Sequence, residues 1–247
     1  YHKYYDCNEY VDFEIGRVVA AARRYLGDEC VIVYTSDHGD HLGHFGLQPK
    51  GPTMYEATTS VPLIVSAPGM QRSPGSVIDA LTASIDLFPT MLDLAGIDAS
   101  DLPQDSAYWG KSLLPLIREG TGTHHEAIYI EYNRFGRGHD ASGEFFPIRC
   151  VISGDMKLAI NLFDTDELYD LASDPLEKHN LIAEEATASQ RDRLHDLLLE
   201  HLYLTKDLFR ARQWGERDWR DDYQYDFTAL ETTGIKDRWE GGSFFDA

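Results

Sequence analysis

The sequence predicts an α/β protein: part of a mostly parallel sheet flanked by helices, plus a small C-terminal antiparallel sheet with a covering helix. An amphipathic helical stretch leads into a short β-branched run, then a polar loop, a second apolar run and a second helix. Helix, strand, loop, strand, helix is the rhythm of an α/β domain built on a parallel sheet. After about residue 97 the apolar stretches become short and closely spaced, with turn residues between them, as in an antiparallel sheet.

Residues 9–26 place Val11, Ile15, Val18, Val19, Ala22 and Leu26 at three- and four-residue steps, the period of a helix with one apolar face. Asp12 and Glu14 lie near its start and Arg23 and Arg24 near its end, as the helix dipole prefers, and Gly27 supplies the stop. Cys30-Val31-Ile32-Val33-Tyr34 is short and β-branched, so it reads as a buried strand. A cluster rich in His and Gly fills Ser36 to Gly51, and Val61-Pro62-Leu63-Ile64-Val65 reads as the next strand. A helix follows from about Asp86 to Ala95, with Asp86 as its cap, Pro89 in the first turn and Gly96 as its stop.

Asp98 to Gly110 reads as a loop rich in Asp, Ser and Pro. Ala127–Tyr132, Ile148–Ser153 and Met156–Leu162 read as strands, the last two joined in a hairpin through Ser153-Gly154-Asp155. Glu167–Leu171 is a further short strand candidate, and a helix near 189–202 carries Leu194, Leu197, Leu198 and Leu202 on one face. The boundaries divide the chain into 1–97, 98–204 and a charged, aromatic tail, 205–247. Trp214, Trp219, Tyr223, Tyr225, Phe227 and Trp239 make that tail too aromatic for a floppy linker, so it is expected to wrap the domain.

Composition narrows the function. Of 247 residues, 43% are hydrophobic and 26% charged, which suits a packed globular chain rather than a disordered one. Twenty-two basic against 42 acidic side chains give a net charge of -20, a field that opposes binding to nucleic acid or anionic membranes. No run of about 18 apolar residues is present, so no membrane span is expected. Cys7, Cys30 and Cys150 are widely separated, and Cys30 and Cys150 read as small core residues. The chain opens Tyr-His-Lys-Tyr-Tyr, without an initiator Met, so a start in mid-protein is expected; the reading is a soluble chain, cytoplasmic or periplasmic.

The chemistry concentrates in Thr35-Ser36-Asp37-His38-Gly39-Asp40-His41-Leu42-Gly43-His44, directly after the first strand. Ligands of open α/β sheets bind at the carboxyl ends of strands. Asp37 offers a hard anionic oxygen and His38 a neutral nitrogen, a common pair for a divalent cation. The bland alternative is a polar surface loop that contains three histidines. Lys50 follows closely, a compact cation able to hold an anionic oxygen beside such a metal, although a lone loop lysine is more often a solvated charge.

These residues, with Lys50-Gly51, Tyr55-Glu56 and Val61-Pro62-Leu63-Ile64, resemble the carboxyl-terminal signature of the sulfatase family, within the alkaline-phosphatase superfamily. Asp86-Leu87-Phe88-Pro89-Thr90-Met91-Leu92-Asp93-Leu94-Ala95-Gly96 resembles the helix that family places next, and Gly110-Lys111-Ser112-Leu113 its next marker. Glu167-Leu168-Tyr169-Asp170-Leu171, with Asp174-Pro175, Glu177 and Asn180-Leu181, resembles its late element. Tyr4-Tyr5, Asp12 and Ile15-Gly16-Arg17 fit the helix before the metal strand, so the likeness runs in order over about residues 4–182. The end of the chain, around Asp207-Leu208-Phe209-Arg210 and Trp214, is similar to some glycan-directed sulfatases.

The resemblance implies a sulfuric ester hydrolase with one calcium ion. It implies Asp37 and His38 as metal ligands, Lys50 on the sulfate group and His44 on the substrate or leaving-group side. Arg149 matches a position facing the substrate cleft, as do Arg134 or His139; a surface charge or salt bridge is the alternative for each arginine. Residues 1–97 would then be the C-terminal portion of the catalytic domain and 98–204 a small α+β subdomain. The family's nucleophile is a formylglycine made from Cys or Ser in a C-x-P-S-R or C-x-A-x-R motif. Cys7, Cys30 and Cys150 are followed by Asn-Glu-Tyr, Val-Ile-Val and Val-Ile-Ser, none of which fits. The paired early aspartates of the metal site are absent as well. The implied partners are therefore an N-terminal half or companion chain and a sulfated small molecule or glycan, with the chain inactive alone. Two rivals stand beside this reading: a phosphoesterase or phosphonate hydrolase of the same superfamily, and a non-catalytic binding or assembly domain.

Overall fold

The computed structural model describes residues 2–47, 50–67, 69, 75–98, 109–120, 122–133, 146–207 and 212–220. They divide into two compact units: residues 1–51 with 55–126, and 52–54 with 127–247.

The first unit begins with α1, His2–Leu26, which opens seven residues before the periodicity predicts. Gly27, at φ 86°, ends it, its N–H donating to the Arg23 carbonyl at 3.0 Å. No residue of α1 is buried, and Tyr5, Tyr10, Phe13, Val18 and Tyr25 are exposed. Strand β1, Ile32–Thr35, follows. A four-residue helix α2, Glu56–Thr59, precedes β2, Leu63–Ser66.

β1 and β2 pair antiparallel, with Ile32 opposite Ser66 and Thr35 opposite Leu63. The expected parallel arrangement does not hold for this pair. A parallel pair needs a crossover, usually a full helix on one face, and α2 is only four residues long. The burial expected of β1 also differs, since Val33 and Tyr34 are exposed. Among the described residues this sheet has two strands.

Helix α3, Leu87–Ala95, ends at Gly96 in the left-handed region. Asp86 does not cap it as expected: the residue is itself helical, closing a 3-10 turn over Ser84–Asp86, and its carboxylate makes no cap bond to α3. Helix α4, Leu114–Glu119, has Pro at its start and Gly120 at its end; its six residues are too few to show a period in the sequence.

The second unit holds a four-stranded antiparallel meander, in the order β3 (Ile128–Tyr132), β4 (Ile148–Ser153), β5 (Met156–Asn161) and β6 (Glu167–Asp170). The hairpin sits where its turn residues predict: Ser153 pairs with Met156, and Gly154 supplies the positive φ, 58°, favoured in a two-residue turn. Helix α5, Ala188–Leu204, buries Leu194, Leu198, Leu199 and Leu202 against Val151, Leu158, Ile160 and Leu168. Each such side chain is worth roughly 1.5–3 kcal/mol of burial. Trp214, fully buried, joins that core, and Trp219 packs against it. Tyr223, Tyr225, Phe227 and Trp239 lie outside the described residues.

Among the described residues, Lys157 and Arg149 form buried ion pairs in this unit. Lys157 Nζ lies 2.9 Å from Glu177 Oε1, and Arg149 Nε lies 2.7 Å from Asp207 Oδ2. Among the described residues, no helix is long and apolar enough to cross a membrane.

Candidate functional site

β1 ends at Thr35, and the chain immediately turns on its own side chains. Ser36 Oγ donates to the His38 carbonyl at 3.0 Å, and the His38 N–H donates to Asp37 Oδ1 at 2.9 Å. The Gly39 N–H donates to the Thr58 carbonyl at 2.9 Å, which fastens the loop to the end of α2. A Cβ at Gly39 would overlap the Ala57 carbonyl, so only glycine allows that approach. Beyond it, Leu42 and Phe45 sit at positive φ, 46° and 50°, an uncommon conformation for residues with a Cβ. Asp40 Oδ1 accepts the Leu42 N–H at 2.8 Å and supports that turn.

Asp37, His38 and Lys50 come together. Asp37 Oδ2 lies 3.4 Å from His38 Nε2, and Lys50 Nζ lies 2.7 Å from the same nitrogen. His38 Nδ1 is 2.8 Å from the Gly39 carbonyl, so it carries the proton and donates. Nε2 is then a lone pair, and it accepts from the Lys50 ammonium. The result is an electron-rich edge, one carboxylate oxygen beside one imidazole nitrogen, with a cation already on it. That donor set fits a divalent cation. The backbone N–H of His38 holds the Asp37 carboxyl below its ordinary range, with the Lys50 charge adding to the effect. The Asp37 side chain is 82% exposed among the described residues.

His44 takes a different environment. Its ring packs on Phe45 at 4.2 Å between centroids and edge-on to Tyr55 at 5.9 Å. His41, the third loop histidine, is buried beside Tyr55, and burial pushes its pKa down.

Arg149 is 1% exposed. Its guanidinium donates to both oxygens of Asp207, to Asn133 Oδ1 at 2.7 Å and to the Ile148 carbonyl at 2.9 Å. Of its two readings, the salt bridge is the one with contacts: on β4 the side chain is directed into the protein, and a buried guanidinium requires a buried acid. Arg134 and His139 lie outside the described residues.

Sequence reading missed a second cluster. Asp86, fully buried, faces His125, whose Nε2 lies 2.9 and 3.0 Å from its two oxygens, and His124, whose Nε2 lies 3.4 Å from Oδ2. The available signal was the His124-His125 pair just before β3.

The sulfatase family profile matches residues 1–97. The chain is 39% identical over 219 residues to the uncharacterized sulfatase YidJ of Escherichia coli (strain K12), covering 89% of this chain and 41% of that protein. It is 33% identical over 204 residues to an N-acetylglucosamine-6-O-sulfatase of Bacteroides thetaiotaomicron, covering 80% of this chain and 34% of that one. Among solved structures, BT4656 in complex with its substrate D-glucosamine-2-N,6-O-disulfate superposes with a TM-score of 0.68 at 31% identity, over 81% of this chain and 39% of that one. A phosphonate monoester hydrolase of Agrobacterium radiobacter shares the fold, with a TM-score of 0.63 at 23% identity. The chain spans 41% or less of the length of these relatives. With the loop geometry, the family profile and relatives across both units, the chain belongs to the sulfatase family.

Proposed function

We propose that the protein containing this chain hydrolyses sulfate esters, and that Asp37, His38 and Lys50 are this chain's share of the active site. The observation that carries the reading is the meeting of those three side chains on one edge, in the loop where the family resemblance places them. Asp37 and His38 Nε2 would hold one calcium ion, which supplies positive charge to the sulfate oxygens and to the attacking hydroxyl. That hydroxyl would belong to a formylglycine in the segment the relatives possess beyond this chain. Lys50, on a flexible stem, would bind a sulfate oxygen and stabilise the charge that builds there. His44, held by Phe45 and Tyr55, is the candidate for the leaving-oxygen side.

A sulfated glycan is the proposed substrate class, supported by the glucosamine-directed relatives. The exposed apolar side chains of α1 and β1 are the surface that the remainder of the protein would cover. One Asp and one His are far short of the six to eight ligands calcium takes, so the isolated chain should bind it weakly. The test compares the complete protein with this chain alone on an aryl sulfate and an aryl phosphonate. Sulfate turnover by the complete protein, and none by the chain, is expected. Preference for the phosphonate would transfer the assignment to the rival hydrolase class, and turnover by the isolated chain would require a nucleophile within it.

A further inference from the structure

We propose that Asp86, His124 and His125 form a transition-metal site, separate from the Asp37–His38 loop, that takes a borderline divalent cation such as zinc. One ligand atom from each of the three residues lies within 4.8 Å of the other two. The chemistry is two imidazole nitrogens and one carboxylate oxygen, a set that zinc accepts with a water in the fourth position.

The decisive feature is His124. Its side chain is only 7% exposed, its Nε2 makes no hydrogen bond, and that nitrogen lies 3.4 Å from Asp86 Oδ2. A buried polar atom without a partner is costly. If Nε2 is a lone pair, it faces a carboxylate oxygen unfavourably; a cation between the two converts that repulsion into two bonds.

The rest of the cluster is arranged as support. Asp86 Oδ2 accepts the Ala83 N–H at 2.9 Å and Oδ1 accepts the Lys111 N–H at 2.8 Å, so the carboxylate is held in place by backbone, and the remaining side of each oxygen faces His125 Nε2. Gly110 makes this possible: a Cβ there would overlap the Ile85 carbonyl. The Lys111 ammonium is occupied by the His124 carbonyl at 3.2 Å. The His125 side chain is 10% exposed. His125 Nε2 faces both Asp86 oxygens, so to serve as a ligand through that atom it would have to present a lone pair there, with any ring proton on Nδ1. The site would tie the start of α3 to the segment that leads into β3.

The test is titration of the full chain with cobalt(II) chloride, followed by zinc chloride. Visible d–d absorption of tetrahedral cobalt at one equivalent, displaced by one equivalent of zinc, is expected. His124→Phe should weaken cobalt binding by about two orders of magnitude or more, with an unchanged circular dichroism spectrum; His124→Gln serves if the phenylalanine variant misfolds. Asp37→Asn should leave the cobalt spectrum intact, which separates this site from the proposed calcium site. No tetrahedral spectrum in the unmodified chain, or equal affinity in the folded His124 variant, would overturn the proposal.

Discussion

Lys50 Nζ lies 2.7 Å from His38 Nε2, on the side of the ring opposite the Nδ1 contact to the Gly39 carbonyl. The pair fixes the tautomer: Nδ1 carries the proton and Nε2 the lone pair. At a pH where the ring is neutral, nitrogen NMR of the isotopically labelled chain should show Nδ1 protonated and Nε2 bare. A spectrum with Nε2 protonated would remove His38 as a ligand through that atom.

Gly39 should tolerate no side chain. Its N–H bonds to Thr58, and a Cβ would overlap the Ala57 carbonyl, so Gly39→Ala must push the loop off α2. A loss of about 2 kcal/mol is expected, of the order of a strained backbone site plus a hydrogen bond. Denaturant unfolding checks it, and an unchanged midpoint would mean that the loop is not seated on α2.

The buried pair Lys157–Glu177 predicts a non-additive result. Both side chains are 1% exposed. Lys157→Met leaves Glu177 charged and buried, at a cost of about 3–5 kcal/mol. Lys157→Met with Glu177→Leu should recover most of that loss. Equal destabilisation by the single and double variants would show that packing, not charge, is at stake.

His195 sets a pH dependence in the second unit. Its Nε2–H donates to the Trp214 carbonyl at 2.7 Å, while Arg220 Nη1 lies 3.2 Å from Nδ1, so neither nitrogen has room for another proton. Burial, with Arg220 and Arg217 nearby and Asp192 opposing, lowers its pKa to about 4. The unfolded chain, with its ordinary value of 6.5, binds the proton first as pH falls, so stability is lost between pH 6.5 and 4. The loss from this group between pH 7 and 5 is about 2 kcal/mol. His201, also lowered to about 4 by burial, acts in the same direction. Urea unfolding followed by tryptophan fluorescence should show the decline, and His195→Gln should reduce its slope. A flat profile would contradict a neutral, buried His195.

The fold was legible where periodicity or turn chemistry is local. Ile148–Ser153 and the Gly154 turn appear where their residues predict, because the β-branched runs and a positive-φ glycine act within a few residues. The pairing sense of β1 and β2 was not legible, since an apolar run states burial and not direction. Asp37, His38 and Lys50 were readable because the loop is contiguous and resembles a family signature. Asp86, His124 and His125 were not: the aspartate precedes the first histidine by 38 positions, and their meeting depends on tertiary contacts such as the close approach of Gly110 to Ile85. Arg149 shows the converse: an arginine on a strand reads as functional until its burial and its acid, 58 residues away, are known.

The most direct measurement is the turnover of an aryl sulfate by the complete protein carrying Lys50→Ala. Lys50 is exposed and its Nζ meets His38, so its removal should leave the thermal midpoint unchanged. Losing a donor that stabilises transition-state charge costs about 10²–10³ in kcat. A fall of that size at constant stability is the predicted result. Near-normal turnover in the folded variant would contradict it and leave Lys50 as a solvated loop charge.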